Sequence, residues 1–228
     1  MTPEFGPLVS GEPANRPRHT TLTGRTVTLV PLSAADHAEA LFEGSKLASL
    51  WDYLADGPYS TVEAFSSSLA AKSFSTDPLF FAILDKVSGK AVGSAAFLRI
   101  DEKNRVIEVG HILYTPALQR TVAGTEAMYL MMRHVFDDLG YRRYEWKCNH
   151  FNQPSRKAAL RYGFTFEGIF RQHMIAKGRN RDTAWYSMLD SEWPERKAAF
   201  EAWLRADNFD EQGRQRVSLS SLIDKAKY

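Results

Sequence analysis

The segment from Pro78 to Pro116 restricts the possible folds of this chain more than any other part of it. Its hydrophobic pattern is extended and predicts three consecutive strands at Leu79–Asp85, Ala91–Ile100 and Val106–Tyr114. Short polar turns separate these strands, so we expect consecutive strands to pair as antiparallel neighbours. Pro116 ends the series because proline donates no hydrogen bond to a sheet and restricts the residue before it.

Helical and extended patterns alternate on both sides of this segment. The other predicted elements are a strand at 26–31, helices at 33–42, 61–72 and 125–139, a strand at 143–147, a helix at 154–162, strands at 164–176 and 183–189, and a helix from 194 to 206. This order predicts an α/β fold in one domain, with a mixed, mostly antiparallel sheet of about seven strands flanked by helices. We expect an irregular N-terminal arm at 1–23, the domain at 24–193, and a C-terminal helix and tail at 194–228.

The composition indicates a soluble protein without a strong net field. Among 228 residues, 29 basic and 27 acidic side chains leave a formal charge of +2, so neither a nucleic acid nor a membrane is expected as a partner. Cys148 is the only cysteine, which excludes an intrachain disulfide, and the histidine spacing does not suggest a metal site. The sequence shows no signal-peptide pattern and no apolar run of membrane length, so we expect a cytoplasmic protein.

The loop after Pro116 leads into a helix and is a candidate site for an anion. The first amides of a helix have no partner within the helix and lie at the positive end of its dipole. Ala123 and Gly124 are small enough to let a diphosphate approach the backbone. A plain strand-to-helix turn explains the same residues, so this pattern alone leaves both interpretations open.

Three motifs in this order resemble those of the GNAT acyltransferase superfamily. They are Pro116-Ala117-Leu118-Gln119 through Gly124-Thr125-Glu126-Ala127, then Asn152-Gln153-Pro154-Ser155, then Tyr162-Gly163-Phe164-Thr165-Phe166-Glu167-Gly168. The most similar branch contains the ribosomal-protein N-acetyltransferases (RimJ/RimL-like), and the resemblance spans residues 24–193. It implies a GNAT-like fold, acetyl-CoA as the acyl donor, and direct attack of an amine on the thioester without a covalent enzyme intermediate.

The resemblance also implies which residues contact acetyl-CoA. The expected set is Ile112, Leu113 and Tyr114, whose backbone would polarise the thioester, with Gln119, Arg120, Val122, Ala123, Gly124, Thr125, Asn152 and Ser155. Arg120 and Val122 occupy positions where the family usually has glycine. Their amides can still bind phosphate if both residues keep a negative φ. The Arg120 side chain either adds an ion pair to a phosphate or is a solvated surface group.

Glu108 and Ser155 are the catalytic residues that the resemblance implies. Carboxylates at the strand position of Glu108 act as bases through water in related enzymes, and the alternative is an ion pair with Arg99 or Arg105. Ser155 is the candidate acid for the departing thiolate, because Ala159 stands where many relatives have a tyrosine; the alternative is a hydroxyl bonded to local backbone.

Cys148 fits a partly buried structural thiol better than a nucleophile, although His150 is close to it in sequence.

The loop between the first two helices is the expected wall for the acceptor. It contains Trp51, Asp52 and Tyr53, and an aromatic pair with one carboxylate can hold a cationic amine. The alternative is that these aromatics, with Tyr59, cover the open end of the sheet. The basic turn at 177–181 is either solvated or faces the cleft, where it would favour an acidic acceptor or the 3′-phosphate of CoA.

The sequence therefore predicts an N-acyltransferase that moves an acetyl group from acetyl-CoA to a primary amine of a small molecule or a peptide N-terminus. Succinyl-CoA or another acyl donor is an open alternative, and the sequence is compatible with a homodimer. The altered loop and the missing tyrosine leave a second function open, a CoA-binding protein with weakened or lost catalysis that acts as a sensor or interaction module.

Overall fold

The structure, a computed structural model, describes residues 5–9 and 11–225. Its strands are β1 (Leu22–Thr23), β2 (Val27–Pro31), β3 (Leu79–Asp85), β4 (Ala91–Asp101), β5 (Val106–Tyr114), β6 (Arg143–Asn149), β7 (Thr165–Ala176) and β8 (Arg179–Leu189). Its helices are α1 (Ala34–Gly44), α2 (Val62–Ser73), α3 (Val122–Arg133), α4 (Gln153–Arg161), α5 (Trp193–Leu204) and α6 (Leu219–Lys225). Within these residues, no helix is both long and apolar enough to cross a membrane.

The strands form one mixed sheet in the order β1-β2-β3-β4-β5-β6-β8-β7. Neighbouring strands are antiparallel, apart from β5 and β6, which are parallel. The chain passes between these two through α3, as a parallel pair requires, because a short turn cannot return the chain to the starting edge. The predicted α/β fold with a mostly antiparallel sheet is confirmed.

The strand that raises the sheet from about seven to eight members is β1, inside the segment predicted to be irregular. Leu22 pairs with Leu29 and Thr23 with Thr28, and the Leu22 side chain is buried in the core. A strand of two residues is too short to show alternation, so no sequence pattern could identify it.

Helix α3 begins three residues earlier than the predicted start at Thr125. Its N-cap is Thr121, whose hydroxyl accepts a hydrogen bond from the Gly124 amide at 3.0 Å. Capping by a threonine side chain fixes the first turn at Val122. The hydrophobic stripe, which guided the prediction, appears only after that turn.

The turn between β7 and β8 is shorter than the predicted connection between strands at 164–176 and 183–189. It consists of Lys177 and Gly178, whose φ angles of 48° and 72° are left-handed, and β8 then begins at Arg179. Two consecutive left-handed residues are typical of a type I′ hairpin turn. Arg181 therefore lies within a strand of the sheet rather than in a solvated turn.

The two faces of the sheet are covered differently. Helices α3, α4, α5 and α6 contribute to the larger core on one face, whereas α1 and α2 pack on β3 and β4 of the other face. Beyond β4, that second face carries charged and polar side chains. We call this part the polar face; its buried members include Glu108, Glu145, Thr183 and Ser187.

Candidate functional site

A cleft opens where the strands β5 and β6 stop pairing. Their parallel ladder runs from Val106 opposite Arg143 to Val109 opposite Trp146 and ends there. Residues 110–114 of β5 continue to pair with β4 on their other side. One edge of β5 therefore has no strand partner over these residues, and its backbone groups are available to a ligand.

Four backbone amides at the start of α3 also have no acceptor. Among the described residues, the N–H groups of 120–123 donate no hydrogen bond, whereas the Gly124 amide is occupied by Thr121. Free donors at the positive end of a helix, here one of 12 residues, are suited to bind an anion. The unpaired edge of β5 leads directly to this junction.

Arg120 differs from the expected backbone conformation. Its φ is +60°, in the left-handed region, whereas Val122 lies within the helix as expected. Glycine reaches this region without strain, which explains why a glycine suits the position of Arg120 in the family. The Arg120 side chain is exposed, so it has room to reach a phosphate.

Side-chain contacts hold the junction against β5. Gln119 Nε2 donates to the Tyr114 carbonyl at 2.9 Å, and the Tyr114 hydroxyl donates to the Gly124 carbonyl at 2.9 Å. A Cβ atom on Gly124 would lie 2.6 Å from the Leu118 carbonyl oxygen. Close packing of the chain is therefore sufficient to require glycine at position 124, and the approach of a diphosphate, which the sequence suggested, stays a prediction.

Two further residues of the motif face the protein interior. The Thr125 hydroxyl accepts a hydrogen bond from Arg161 at 3.0 Å, and its amide belongs to the helix. Thr125 thus offers no free amide to acetyl-CoA. The Glu126 carboxylate accepts from the amides of Arg25 at 2.7 Å and Thr26 at 2.6 Å, which ties α3 to the start of β2.

The opposite wall of the cleft consists of β6 and the start of α4. Asn152 caps α4 by accepting from the Ser155 amide at 3.1 Å, and Ser155 Oγ accepts from Trp146 Nε1 at 3.0 Å. Because Oγ is the acceptor in that bond, its own proton can be donated elsewhere, and the Cys148 sulfur is one acceptor for it. Burial raises the pKa of the neighbouring Cys148 thiol, against the opposing effect of its hydrogen bond with Ser155, which favours the structural interpretation of this cysteine.

Six charged side chains on the second face form a continuous series of ion pairs, which we call the ion-pair chain. It runs Arg99–Glu108–Lys147–Glu145–Arg143–Glu167, with nitrogen–oxygen distances from 2.5 to 2.9 Å. The ion-pair chain crosses the sheet from β4 to β7. Its positive and negative charges alternate, so the net charge of these six side chains is zero.

Glu108, the predicted base, is a central member of this chain. Its Oε2 lies 2.6 Å from Arg99 Nη1 and 2.9 Å from Lys147 Nζ. The alternative of an ion pair with Arg99 is therefore what the structure shows, with Lys147 as a second partner that the sequence did not indicate. The role of Glu108 as a base stays a prediction.

His111 is a candidate base that the sequence pattern did not single out. A bulge in β5 gives it a left-handed φ of 49°, and its ring packs on Phe80 with the centroids 5.2 Å apart. Burial lowers the pKa of His111; Lys72 and Arg99 act in the same direction and Asp56 opposes them. The imidazole is therefore neutral at neutral pH and able to accept a proton. The available signal was its place in β5, three residues after Glu108.

Comparison with known proteins decides the family. Residues 26–165, more than half of the chain, match the family model for an acetyltransferase (GNAT) domain. The chain belongs to the GNAT acetyltransferase family. The predicted resemblance is confirmed, and the cleft between β5 and β6 is the cleft of a GNAT domain.

Individual relatives agree with this assignment. A crystal structure of a GCN5-related N-acetyltransferase from Brucella melitensis has 50% sequence identity and a TM-score of 0.92, and the match covers 94% of this chain and 98% of that one. The uncharacterized N-acetyltransferase p20 of Bacillus licheniformis is 31% identical over 113 residues, which are 50% of this chain and 63% of p20. YdaF of Bacillus subtilis, provisionally named a ribosomal N-acetyltransferase, is 27% identical over 105 residues, 46% of this chain and 57% of YdaF. The chain thus spans little more than half the length of these two curated relatives, and YdaF is consistent with the predicted branch.

In this GNAT domain, the residues predicted to line the acceptor pocket are not equivalent. Trp51 is buried in the smaller core, where its indole donates to the Ser45 carbonyl at 2.8 Å and its ring meets Tyr59 edge-on. Asp52 and Tyr53 are exposed. Trp51 and Tyr59 therefore pack in the smaller core, as the alternative interpretation expected. Asp52 and Tyr53 stay candidates for contact with an acceptor.

The same loop is bound to both sides of the cleft entrance. The Tyr53 hydroxyl donates to the Phe151 carbonyl at 3.2 Å, just after β6. Lys177, at the tip of the β7–β8 hairpin, donates to the carbonyls of Trp51 at 2.7 Å and Gly57 at 3.0 Å. The loop, the hairpin and the segment after β6 thus enclose one end of the polar face.

Proposed function

We propose that this protein transfers an acetyl group from acetyl-CoA to a primary amine, carried by a small molecule or by a peptide N-terminus. The observation that carries the proposal is the position of the unpaired edge of β5, at 110–114, next to the four free amides at 120–123. An extended chain with amide groups suits the strand edge, and a diphosphate suits the helix start. Pantetheine and the diphosphate of CoA have these two chemistries in this order.

The reaction in this proposal is direct transfer. N–H groups within Ile112–Tyr114 polarise the thioester oxygen, and the amine nitrogen forms a bond to the carbonyl carbon. When the tetrahedral intermediate collapses, the C–S bond breaks and the thiolate takes a proton from the Ser155 hydroxyl. The Ser155 oxygen regains a proton from the nitrogen of the new amide, which must lose one to become neutral. Asn152 positions Ser155 by capping the same helix turn.

We propose His111 as the base that takes the proton from the acceptor ammonium, because its imidazole is neutral at neutral pH. Glu108 is the competing candidate from the sequence. In the structure Glu108 binds Arg99 and Lys147, so its replacement should disturb the polar face more than it disturbs proton transfer. The pH dependence of variants at the two positions separates these roles.

One observation favours the second candidate function, a CoA-binding sensor or interaction module. Ala159, at the position where many relatives have a tyrosine acid, is completely buried, so no side chain from that position reaches the cleft. A thiolate is a good leaving group, however, and a hydroxyl such as that of Ser155 is sufficient to protonate it.

Two measurements decide between these functions. Calorimetry with acetyl-CoA tests binding, and thiol release in the presence of a panel of primary amines tests transfer. Binding with amine-dependent thiol release supports the transferase. Binding without release for every amine supports the sensor, and absence of binding contradicts both.

We further propose a homodimer formed through β7, the last strand of the described sheet. Its outer edge has no strand partner among the described residues, and it exposes Phe166, Ile169, Phe170, Met174 and Ile175. Exposed edge strands with apolar side chains are templates for pairing with another chain. Light scattering should give twice the monomer mass of 25.8 kDa, and a monomeric mass contradicts this assembly.

A further inference from the structure

Arg181 lies on the polar face. The register of β8 on β6 places Trp185 opposite Lys147 and Thr183 opposite Asn149. Side chains two residues apart on a strand share a face, so Arg181 follows Trp185 and Thr183 on the same side of the sheet. It lies beyond the last paired residue of β6, toward the end where the cleft opens.

The electrostatic neighbours of Arg181 belong to the strands on both sides of the cleft. They are Cys148 on β6, Glu108 on β5 and Arg99 on β4. Burial lowers the pKa of Arg181, with smaller contributions from these neighbours. The guanidinium is thus partly removed from water on the same face of the sheet as Glu108.

Arg181 has no counter-ion in the described part of the chain. It forms no hydrogen bond and no ion pair there, and its Nε atom is buried without an acceptor. Glu108 forms its ion pairs with Arg99 and Lys147, and none with Arg181. Burial raises the pKa of the Cys148 thiol, so this neighbour carries no negative charge at neutral pH.

The carboxylates of the ion-pair chain are already neutralised by its own cations, so Arg181 leaves one positive charge without a counter-charge. The three cations and three carboxylates of the ion-pair chain alternate and neutralise one another. Arg181 adds a fourth positive charge beside a neutral network. A partly buried cation without a partner costs free energy, and such a cost is offset when a ligand supplies the counter-ion.

A second donor on the same face also lacks an acceptor. Trp185 Nε1 is buried without a hydrogen-bond partner, and the ring itself is fixed between Phe170, at 4.3 Å between centroids, and the Lys147 ammonium, at 3.8 Å from its centroid. Trp185 and Arg181 belong to one strand and one face. Two unsatisfied donors there indicate a ligand that brings acceptor oxygens.

We propose that the acceptor amine carries a carboxylate or phosphate group and that Arg181 binds this group. The inference rests on the proposed function, because it concerns the acceptor of the same cleft. A guanidinium forms two parallel hydrogen bonds to either anion, which fixes the orientation of the molecule as well as its position. With the anion held on β8, the amine can turn toward the cleft and His111.

The test measures binding and does not require turnover. Calorimetry on the protein saturated with CoA compares two matched pairs, alanine with alaninamide and O-phosphoethanolamine with ethanolamine. The first pair differs by a carboxylate and the second by a phosphate, so the two arms distinguish the two anions. Thiol release from acetyl-CoA is recorded separately for the same four amines.

Arg181→Met and Arg179→Met form a matched pair of variants. Both remove one positive charge from β8, but Arg179 is exposed at the hairpin end. Because Arg181 has no partner, Arg181→Met should melt at a temperature no lower than the wild type does. A lower melting temperature would indicate a structural role for Arg181.

We expect the anionic member of at least one pair to bind about tenfold or more tightly than its neutral partner. Arg181→Met should abolish that preference and Arg179→Met should keep it. The proposal is overturned if no anionic amine is preferred, if the preference survives in Arg181→Met, or if Arg181→Met weakens CoA itself. Anion-dependent binding without thiol release would support the role of Arg181 and contradict the proposed transferase activity.

Discussion

The donor side and the acceptor side of the cleft are built from different chemical groups. On the proposed donor side, the groups available to a ligand are backbone groups at 110–114 and 120–123. On the proposed acceptor side, they are charged side chains from several strands, which form the ion-pair chain, with Arg181 unpaired beside it. Val122 therefore replaces glycine without strain, because every residue except proline has an N–H group. Arg120 also keeps its amide, but it adopts a left-handed φ of +60° that does not meet the expected condition. The acceptor side depends on the identity of each side chain.

The largest effect should come from the base on the acceptor side. We expect His111→Gln to lower kcat by about 10²–10⁴-fold, the usual contribution of a positioned base, and to leave the Kd for acetyl-CoA unchanged. Glu108→Gln is the matched comparison in the same strand. If Glu108→Gln abolishes the pH dependence and His111→Gln does not, the two roles are reversed.

The pH dependence of activity tests whether His111 is the base. His111 must be neutral to accept a proton, and its pKa is lowered from 6.5, so activity should be constant with respect to this group above pH 6.5 and decrease below its lowered pKa. His111→Gln should lose that limb, while a limb retained in both variants belongs to the acceptor amine.

The stability of the fold should depend on the same group. The imidazole of His111 binds a proton at higher pH in the unfolded chain than in the folded chain, so acidification from pH 6.5 should destabilise the wild type more than His111→Gln.

The next effect concerns the stability of the acceptor side. Lys147 lies between Glu108 and Glu145 with a side chain only 4% exposed. Lys147→Met should therefore lower the free energy of unfolding by about 3–5 kcal/mol, because it leaves buried carboxylates without their shared cation. Urea unfolding measures the change. Arg99→Met, which removes a 49% exposed cation from the end of the chain, should cost about 1 kcal/mol or less. Equal losses in the two variants would contradict the view that burial controls this network.

The smallest effect compares two helix caps. Thr121 and Thr61 each accept a hydrogen bond from a backbone amide at the start of a helix, Gly124 and Ala64 respectively. Replacement of either threonine by alanine should lower stability by about 1 kcal/mol. Only Thr121→Ala should alter the Kd for acetyl-CoA, because only α3 begins at the cleft. An equal effect of Thr61→Ala on that Kd would show that the change is global.

The elements of the proposed donor side were easier to predict from the sequence than the contacts of the acceptor side, because the donor side consists of backbone groups. A strand that ends at Pro116 and a helix that follows it can be located from hydrophobic periodicity, and the amides come with the backbone. Glu108 and Lys147 are far apart in sequence, and their ion pair exists only because β5 and β6 are parallel neighbours. Single-residue patterns do not reveal such pairings.

Arg181 shows the same limit at a turn. Its strand was predicted to begin at Thr183, which left the arginine in a polar turn. The turn is shorter than predicted because Lys177 adopts a left-handed φ. The sequence did not show this, because lysine is not a residue that signals a positive φ. Strand β8 begins at Arg179, four residues earlier than predicted, and therefore places Arg181 on the polar face. The sequence left the packing of Trp51 open as one of two alternatives for a comparable reason, since an aromatic residue in a loop carries no sign of its burial.

The most direct test of the donor site removes one backbone N–H. Val122 is the first residue of α3, where proline is well tolerated, and Thr121 before it has φ −101° and ψ 166°, which a following proline accepts. Val122→Pro should therefore fold normally and raise the Kd for acetyl-CoA by about tenfold to hundredfold, the value of one hydrogen bond to a charged group. Val122→Ala, which keeps the amide, should bind as the wild type does. An unchanged Kd in a correctly folded Val122→Pro would contradict the central claim that backbone amides at this junction hold the donor.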